Sequence, residues 1–139
     1  MFELHPAFPA TSEPLGDLAL CHVRLQADAR FPWIVLIPRI AGARELEDLC
    51  ANDRAALLEE IVLAGRAVRA IGASSGRPVE KLNIGALGNV TPQLHVHVVG
   101  RRADDVAWPG PVWGAGVVEP YSGETLRIVA AAARGALGF

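Results

Sequence analysis

The chain has 139 residues, enough for one domain with a sizeable core and too few for two ordinary ones. Apolar residues make up 51% and charged residues 20%, which excludes wholesale disorder, and no apolar run approaches a membrane span. A net charge of −2 offers no broad attraction for a nucleic-acid duplex, although local basic residues can still hold a small phosphorylated ligand.

The first residues, Met1-Phe2-Glu3-Leu4-His5-Pro6, lack a basic segment followed by an apolar block, so no secretory signal is legible and a cytoplasmic location is expected. Cys21 and Cys50 form no C-x-x-C pair and are expected as free thiols. Pro6, Pro9 and Pro14 are spaced too closely for a helix or paired strand to run through them, which predicts an irregular arm over 1–17. A first strand is expected from Leu18 to Leu25, with His22 and Arg24 on one face and Cys21 and Val23 on the other, before a turn at 27–30. Trp33-Ile34-Val35-Leu36-Ile37 is apolar on both faces, as a covered central strand must be, and Pro38 stops it.

Arg44 to Leu49 is compatible with one helical turn. Asn52 or Asp53 is positioned to cap a longer helix, in which Leu57, Ile61, Ala64, Val68 and Ile71 recur at spacings of four and three. Gly72 and Ser74-Ser75-Gly76 end it, and Lys81 to Leu87 reads as a strand with Asn83 and Gly85 on one side. Next comes Gln93-Leu94-His95-Val96-His97-Val98-Val99, where polar and apolar residues alternate with the period of a strand, so Gln93, His95 and His97 are expected on one bare face. Pro and Gly between Trp108 and Trp113 deny that segment a helix or central strand, so the two indoles must lie over something, a ligand pocket or a neighbouring subunit. A Ser122-capped helix over about 123–137 closes the chain. Strand, strand, helix, strand, strand, helix with short connections predicts a single α+β domain over 1–139, an antiparallel sheet with two main helices.

Two imidazoles at i and i+2 on one strand face can divide labour. A neutral imidazole is a good nucleophile near pH 7, and its neighbour, roughly 7 Å further along the strand, can bond phosphate oxygens or a departing group. Read without context, the same pair is also compatible with solvent-facing histidines. Metal ligation needs further ligands at set distances. A cupin-like pattern wants a Glu where Arg101 and Arg102 stand, and an H-x-H-x-D-H site wants Asp and His where Val99 and Gly100 stand. No metal and no cofactor are therefore expected. His5 and His22 are isolated, Trp33 reads as a core or rim aromatic, and Arg39, Arg101 and Arg102 are candidates to balance phosphate charge or to sit solvated.

With these residues in hand, the segment from Asn83 to Gly110 resembles the histidine-triad (HIT) family of nucleotide hydrolases and transferases. The family signature is His-φ-His-φ-His-φ-φ with φ apolar, after an Asn-x-Gly strand and a Gly/polar turn. Gln93, His95 and His97 fall on the three triad positions, followed by Val98 and Val99. Ile37-Pro38-Arg39 is similar to the Ile-Pro-Lys end of an earlier family strand, and Trp108-Pro109-Gly110 to a Trp-Pro segment of one branch, so the resemblance spans about 15–113. It implies a sheet of about five antiparallel strands with two helices on one side, paired into a homodimer through a continuous sheet. It also implies a metal-independent reaction in which His95 attacks the α-phosphorus of a nucleotide and water hydrolyses the nucleotidyl-histidine, while His97 contacts phosphate and assists the leaving group. Asn83, Asn89, Thr91, Gln93 and Trp108 are the candidate substrate contacts. The implied substrates are nucleoside phosphoramidates, aminoacyl-nucleotides or dinucleoside polyphosphates; the alternatives are a non-catalytic nucleotide-binding or dimeric interaction protein, and a nucleotidyltransferase. Three departures stand out: Gln93 at the first triad position, Trp33 where the family often has His, and Val90 where a hydroxyl residue is common.

Overall fold

Apolar residues on both faces of Trp33–Pro38 require cover on both sides, and this demand organises the molecule. In a computed structural model describing residues 1–139, this segment (β3) is buried at all six positions and lies at the middle of a five-stranded sheet. The other strands are β1 (Ser12–Asp17), β2 (Cys21–Gln26), β4 (Lys81–Gly85) and β5 (Val96–Arg101). Their order is β1-β2-β3-β5-β4, with every neighbouring pair antiparallel. Helices α1 (Ala7–Thr11), α2 (Ala51–Ser74) and α3 (Gly123–Leu137) and a 3-10 turn at Leu46–Asp48 complete the chain. No helix is long and apolar enough to cross a membrane.

Alternation along each strand divides the interior in two. Val23, Leu25, Ile34, Leu36, Val96 and Val98 face α2 and α3, where Leu57, Ala64, Val68, Ile71, Val129 and Ala133 join them in a cluster of 21 buried residues. Each large side chain removed from water there is worth about 1.5–3 kcal/mol. Glu60 of α2 reaches into this layer and accepts the N–H groups of Leu20 and Cys21 at 2.8 and 2.9 Å, tying the helix to the start of β2. The opposite face carries Trp33, Val35, Ile37 and Val99, and it is covered by Phe8, Phe31 and Val112. The face predicted to be bare is thus roofed by the N-terminal arm and by the Trp/Pro/Gly segment, whose apolar side chains have nowhere else to be buried.

Three further expectations are corrected. The arm over 1–17 is only half irregular: α1 and β1 lie within it, and β1 pairs with β2 through a register slip between Pro14 and Gly16. A proline is tolerated there because β1 is an edge strand, where a missing N–H need not break the ladder. The cap of α2 is Cys50, not Asn52 or Asp53, and its side chain makes no capping bond. The histidine strand begins at Val96, so Gln93 and His95 precede it. By contrast, Ser122 caps α3 as expected, its Oγ accepting the N–H of Thr125 at 3.2 Å.

Candidate active site

Register builds the site. His97 on β5 stands opposite Val35 of β3 and Gly85 of β4, on the face away from the long helices. A Cβ on Gly85 would come within 3.2 Å of the Trp113 ring, so the glycine makes room for that indole to pack against His97, with ring centroids 5.5 Å apart. His95 sits just before the strand on the same face. Its ring centroid lies 4.9 Å from that of His97, and Phe8 meets it edge-on at 5.0 Å. The two rings are therefore closer than the strand repeat separates their backbones.

Hydrogen bonds assign each ring a different proton arrangement. His95 Nδ1 lies 2.6 Å from the carbonyl oxygen of Gln93. A carbonyl only accepts, so the proton of this bond belongs to Nδ1 and the Nε2 of the neutral ring carries a lone pair. His97 is the reverse. Trp33 Nε1 donates to its Nδ1 at 2.9 Å, and an indole nitrogen only donates, so the neutral ring holds its proton on Nε2. Burial, with the charge of His95 adding to it, pushes the His97 imidazolium down to about 4. Neither Nε2 has a protein partner, and neither is sealed from solvent; Trp113 Nε1 is the fully buried side-chain polar atom left without one.

Although His95 is only 7% exposed, it borders two hollows that share Leu87 and Gly88. One, of about 260 Å³, is otherwise lined by Asn89, Val90 and Thr91; the other, of about 380 Å³, runs toward Arg44, Glu45 and Glu47. Gly88 adopts a left-handed backbone (φ 64°), and the N–H groups of Gly88, Asn89, Val90 and Thr91 have no acceptor within the protein. Consecutive free N–H groups in such a turn form a concavity suited to an anion. His97 borders a third hollow, of about 290 Å³, walled by Trp33, Trp113, Asp28 and Arg30. Burial alone would raise the Asp28 carboxyl, but bonds from Arg30 and from backbone N–H groups hold it below its usual range, and the two side chains form an ion pair at 2.8 Å.

This arrangement of paired rings, polar turn and roofed sheet has relatives. A family model described as the HIT domain matches residues 9–104. The chain belongs to the HIT family. Among solved structures it is similar to a histidine triad protein from Bradyrhizobium japonicum, with 38% identity, a TM-score of 0.91 and 98% of each chain covered. A histidine triad protein from Sinorhizobium meliloti is 42% identical with a TM-score of 0.88, covering 98% of this chain and 97% of that one. A third, from Marinobacter aquaeolei, is 38% identical with a TM-score of 0.89, at 99% and 97% coverage. No curated protein matches the chain. The HIT family is one of nucleotide-binding proteins, hydrolases and transferases, and the α+β architecture expected from the sequence is that of its solved members.

Of the candidate residues, the HIT fold brings His95, His97, Asn89 and Thr91 into one neighbourhood. Gln93 turns to the N-terminal arm: its Oε1 accepts the N–H of His5 at 2.9 Å and its Nε2 donates to the carbonyl of Glu3 at 2.8 Å. Asn83 Oδ1 accepts from Arg101 at 2.8 Å. Arg101 is 1% exposed, bidentate to Asp105 at 2.8 and 3.1 Å, and lies between the rings of Phe31 and Trp108, with Trp108 5.6 Å away. Trp108 therefore covers a buried ion pair and borders neither hollow beside His95. The three arginines considered for phosphate are all engaged, Arg39 with the carbonyls of Leu18, Ala19 and Leu20, Arg101 with Asp105, and Arg102 with Asp104 and the carbonyl of Pro78. Sequence reasoning missed Phe8 against His95 and the indole bond from Trp33 to His97. The aromatic type at position 33 was the available signal for the second, and nothing local signalled the first.

Proposed function

We propose that this HIT protein is a nucleotide phosphohydrolase that works through a nucleotidyl-histidine at His95, without a metal. The observation carrying this reading is the 2.6 Å bond from His95 Nδ1 to the Gln93 carbonyl, which leaves the Nε2 lone pair free beside a hollow lined by unpaired N–H groups. Nε2 attacks the α-phosphorus, a nitrogen–phosphorus bond forms, and the bond to the leaving group breaks. The ring becomes cationic, and the carbonyl on Nδ1–H stabilises that charge as it develops. Water then attacks the same phosphorus, the nitrogen–phosphorus bond breaks, and His95 returns to its starting tautomer. The turn N–H groups and the side chains of Asn89 and Thr91 take the phosphate oxygens, and His97 donates from Nε2 to another.

In this scheme Gln93, at the first triad position, holds the arm and presents its carbonyl to His95. Asn83 approaches substrate with the amide nitrogen left over from its bond to Arg101, and Trp108 acts through Arg101. The hollow beside His97, with its two indole walls, suits the nucleobase, because aromatic faces stack on any base. Substrates of this class are nucleoside phosphoramidates, aminoacyl-nucleotides and dinucleoside polyphosphates. Transfer to an acceptor other than water differs only in what attacks the intermediate. A non-catalytic binder is the second reading, favoured by Phe8 packed on a His95 ring that is only 7% exposed. A homodimer fits the unpaired edge of β4, where Ile84 is 52% exposed, with Leu58 and Val62 of α2 exposed as well.

The test is incubation of the purified protein with a labelled nucleoside phosphoramidate, with and without a chelator. Chelator-resistant release that disappears in His95→Ala supports the hydrolase. Tight binding without release in the unmodified protein supports the binder, and release abolished by the chelator defeats the metal-independent scheme.

A further inference from the structure

We propose that Trp33 is a positioning residue that fixes His97 as a neutral donor, its proton held on Nε2, so that His97 hydrogen-bonds the transferring phosphoryl group and does not deliver a full proton. The role in turnover rests on the reading of His95 as nucleophile; the proton arrangement rests on geometry alone. Trp33 heads β3 and is 6% exposed, and its ring meets those of His97 and Trp113 edge-on at 5.6 and 6.3 Å. A ring held on two sides has little freedom to rotate, so its N–H stays aimed at His97 Nδ1, at 2.9 Å. An indole N–H cannot accept. A proton arriving at His97 Nδ1 would face another donor head-on, and the bond would have to break before the ring could become cationic.

The groups around His97 reinforce this. From its own chain segment comes His95, which opposes a charge on His97 whenever its own ring is cationic, as it becomes on bonding to phosphorus. From the loop before β3 come Asp28 and Arg30, which largely cancel as an ion pair at 2.8 Å. β3 contributes Trp33, β4 contributes Gly85, and the 112–118 segment contributes Trp113, none of them charged. No carboxylate therefore stands free to favour an imidazolium at this position. In the reaction, the nitrogen–phosphorus bond at His95 forms as the bond to the leaving group breaks, the leaving group departs with its electron pair, and it takes its proton from water. The His97 proton remains on nitrogen throughout.

The experiment is NMR of the histidine ring nitrogens across about pH 5 to pH 8, where an ordinary imidazole changes charge, with His97→Gln identifying the His97 signals by their loss. The unmodified protein is expected to show His97 as a single tautomer, protonated at Nε2, throughout. In Trp33→Phe, which keeps an aromatic ring without the donor, both tautomers of the neutral ring are expected, while burial and the neighbouring His95 still keep it from taking up a proton in that range. The turnover number kcat should fall by roughly tenfold while KM changes by less than about twofold. A His97 ring protonated at Nδ1, or titrating in that range in the unmodified protein, overturns the proposal, as does an unchanged His97 spectrum in a folded Trp33→Phe. If that variant does not fold, the unmodified spectrum decides alone. Because this readout needs no turnover, an inactive protein with the expected tautomer would defeat the hydrolase reading and leave the proton arrangement standing.

Discussion

The two faces of the sheet use the same strands and differ in how they are covered. Toward α2 and α3 the strands present apolar side chains, and two helices supply a mainly apolar partner broken by Glu60. Toward the site, seven buried apolar residues are interleaved with Arg24, His95, His97 and Arg101, each of which makes at least one dedicated side-chain hydrogen bond. The first face stabilises by area, which is non-directional and tolerant. The second is held by directional bonds, in which loss of one partner strands the other. The reacting groups thus stand on one side only of a layer one strand thick, and each side should fail in its own way when disturbed.

The sharpest separation is expected from His95→Ala. Turnover should fall at least about 1,000-fold, since the ring supplies the bond to phosphorus, whereas losing its contact with Phe8 and its bond to the Gln93 carbonyl should cost only about 1–3 kcal/mol of stability. Arg101→Met should destabilise by about 3–5 kcal/mol in chemical denaturation, because Asp105 is left as a buried charge without its guanidinium; adding Asp105→Asn, which removes the stranded charge and keeps an acceptor for the N–H groups of Arg102, Ala107 and Trp108, should restore part of that loss. Leu36→Ala, on the helix side, should lose about 2–5 kcal/mol, with the kcat of the folded fraction within about twofold of the original. Comparable losses of turnover in Leu36→Ala and His95→Ala would erase the contrast between faces.

Acid should attack the site face first. The unfolded chain binds a proton at His97 near pH 6.5, whereas the folded ring resists it down to about 4. Between those values the unfolded state holds more protons, so stability falls as pH drops through this window, by about 3 kcal/mol in total. Denaturation curves at stepped pH should show this fall, and His97→Gln should reduce it. The smallest effect belongs to Gln93→Ala. Loss of its two bonds to the arm should cost about 1–2 kcal/mol and raise hydrogen exchange at His5 and neighbouring amides before it affects the helix side.

Periodic features were legible in the sequence because they are local. Leu57, Ala64, Val68 and Ile71 recur at helical spacing and all are buried in the main cluster. The run from Trp33 to Ile37 is apolar on both faces because both are covered. The His-x-His spacing placed both rings on one face, and the Asn89 to Thr91 turn beside them followed from its composition. What covers the rings was not legible. Phe8, Phe31 and Val112 lie far apart in the chain and share no period, so nothing announced a second apolar layer. Three prolines read as breakers hid β1, since the pattern cannot say that Pro14 falls on an edge. The proton arrangement of His97 depends on a partner 64 positions away, and the orientation of the Gln93 amide on partners 88 and 90 positions away, distances at which spacing carries no information.

The latch between Gln93 and Glu3–His5 joins two segments made at separate times, one before β2, β3 and α2 and the other after them. During synthesis the arm must wait, with Phe2, Leu4 and Phe8 uncovered, until the His95 and Val112 regions emerge to receive it. The helix-backed layer can begin to assemble earlier, from β2, β3 and α2, so the reaction centre is completed late in biogenesis.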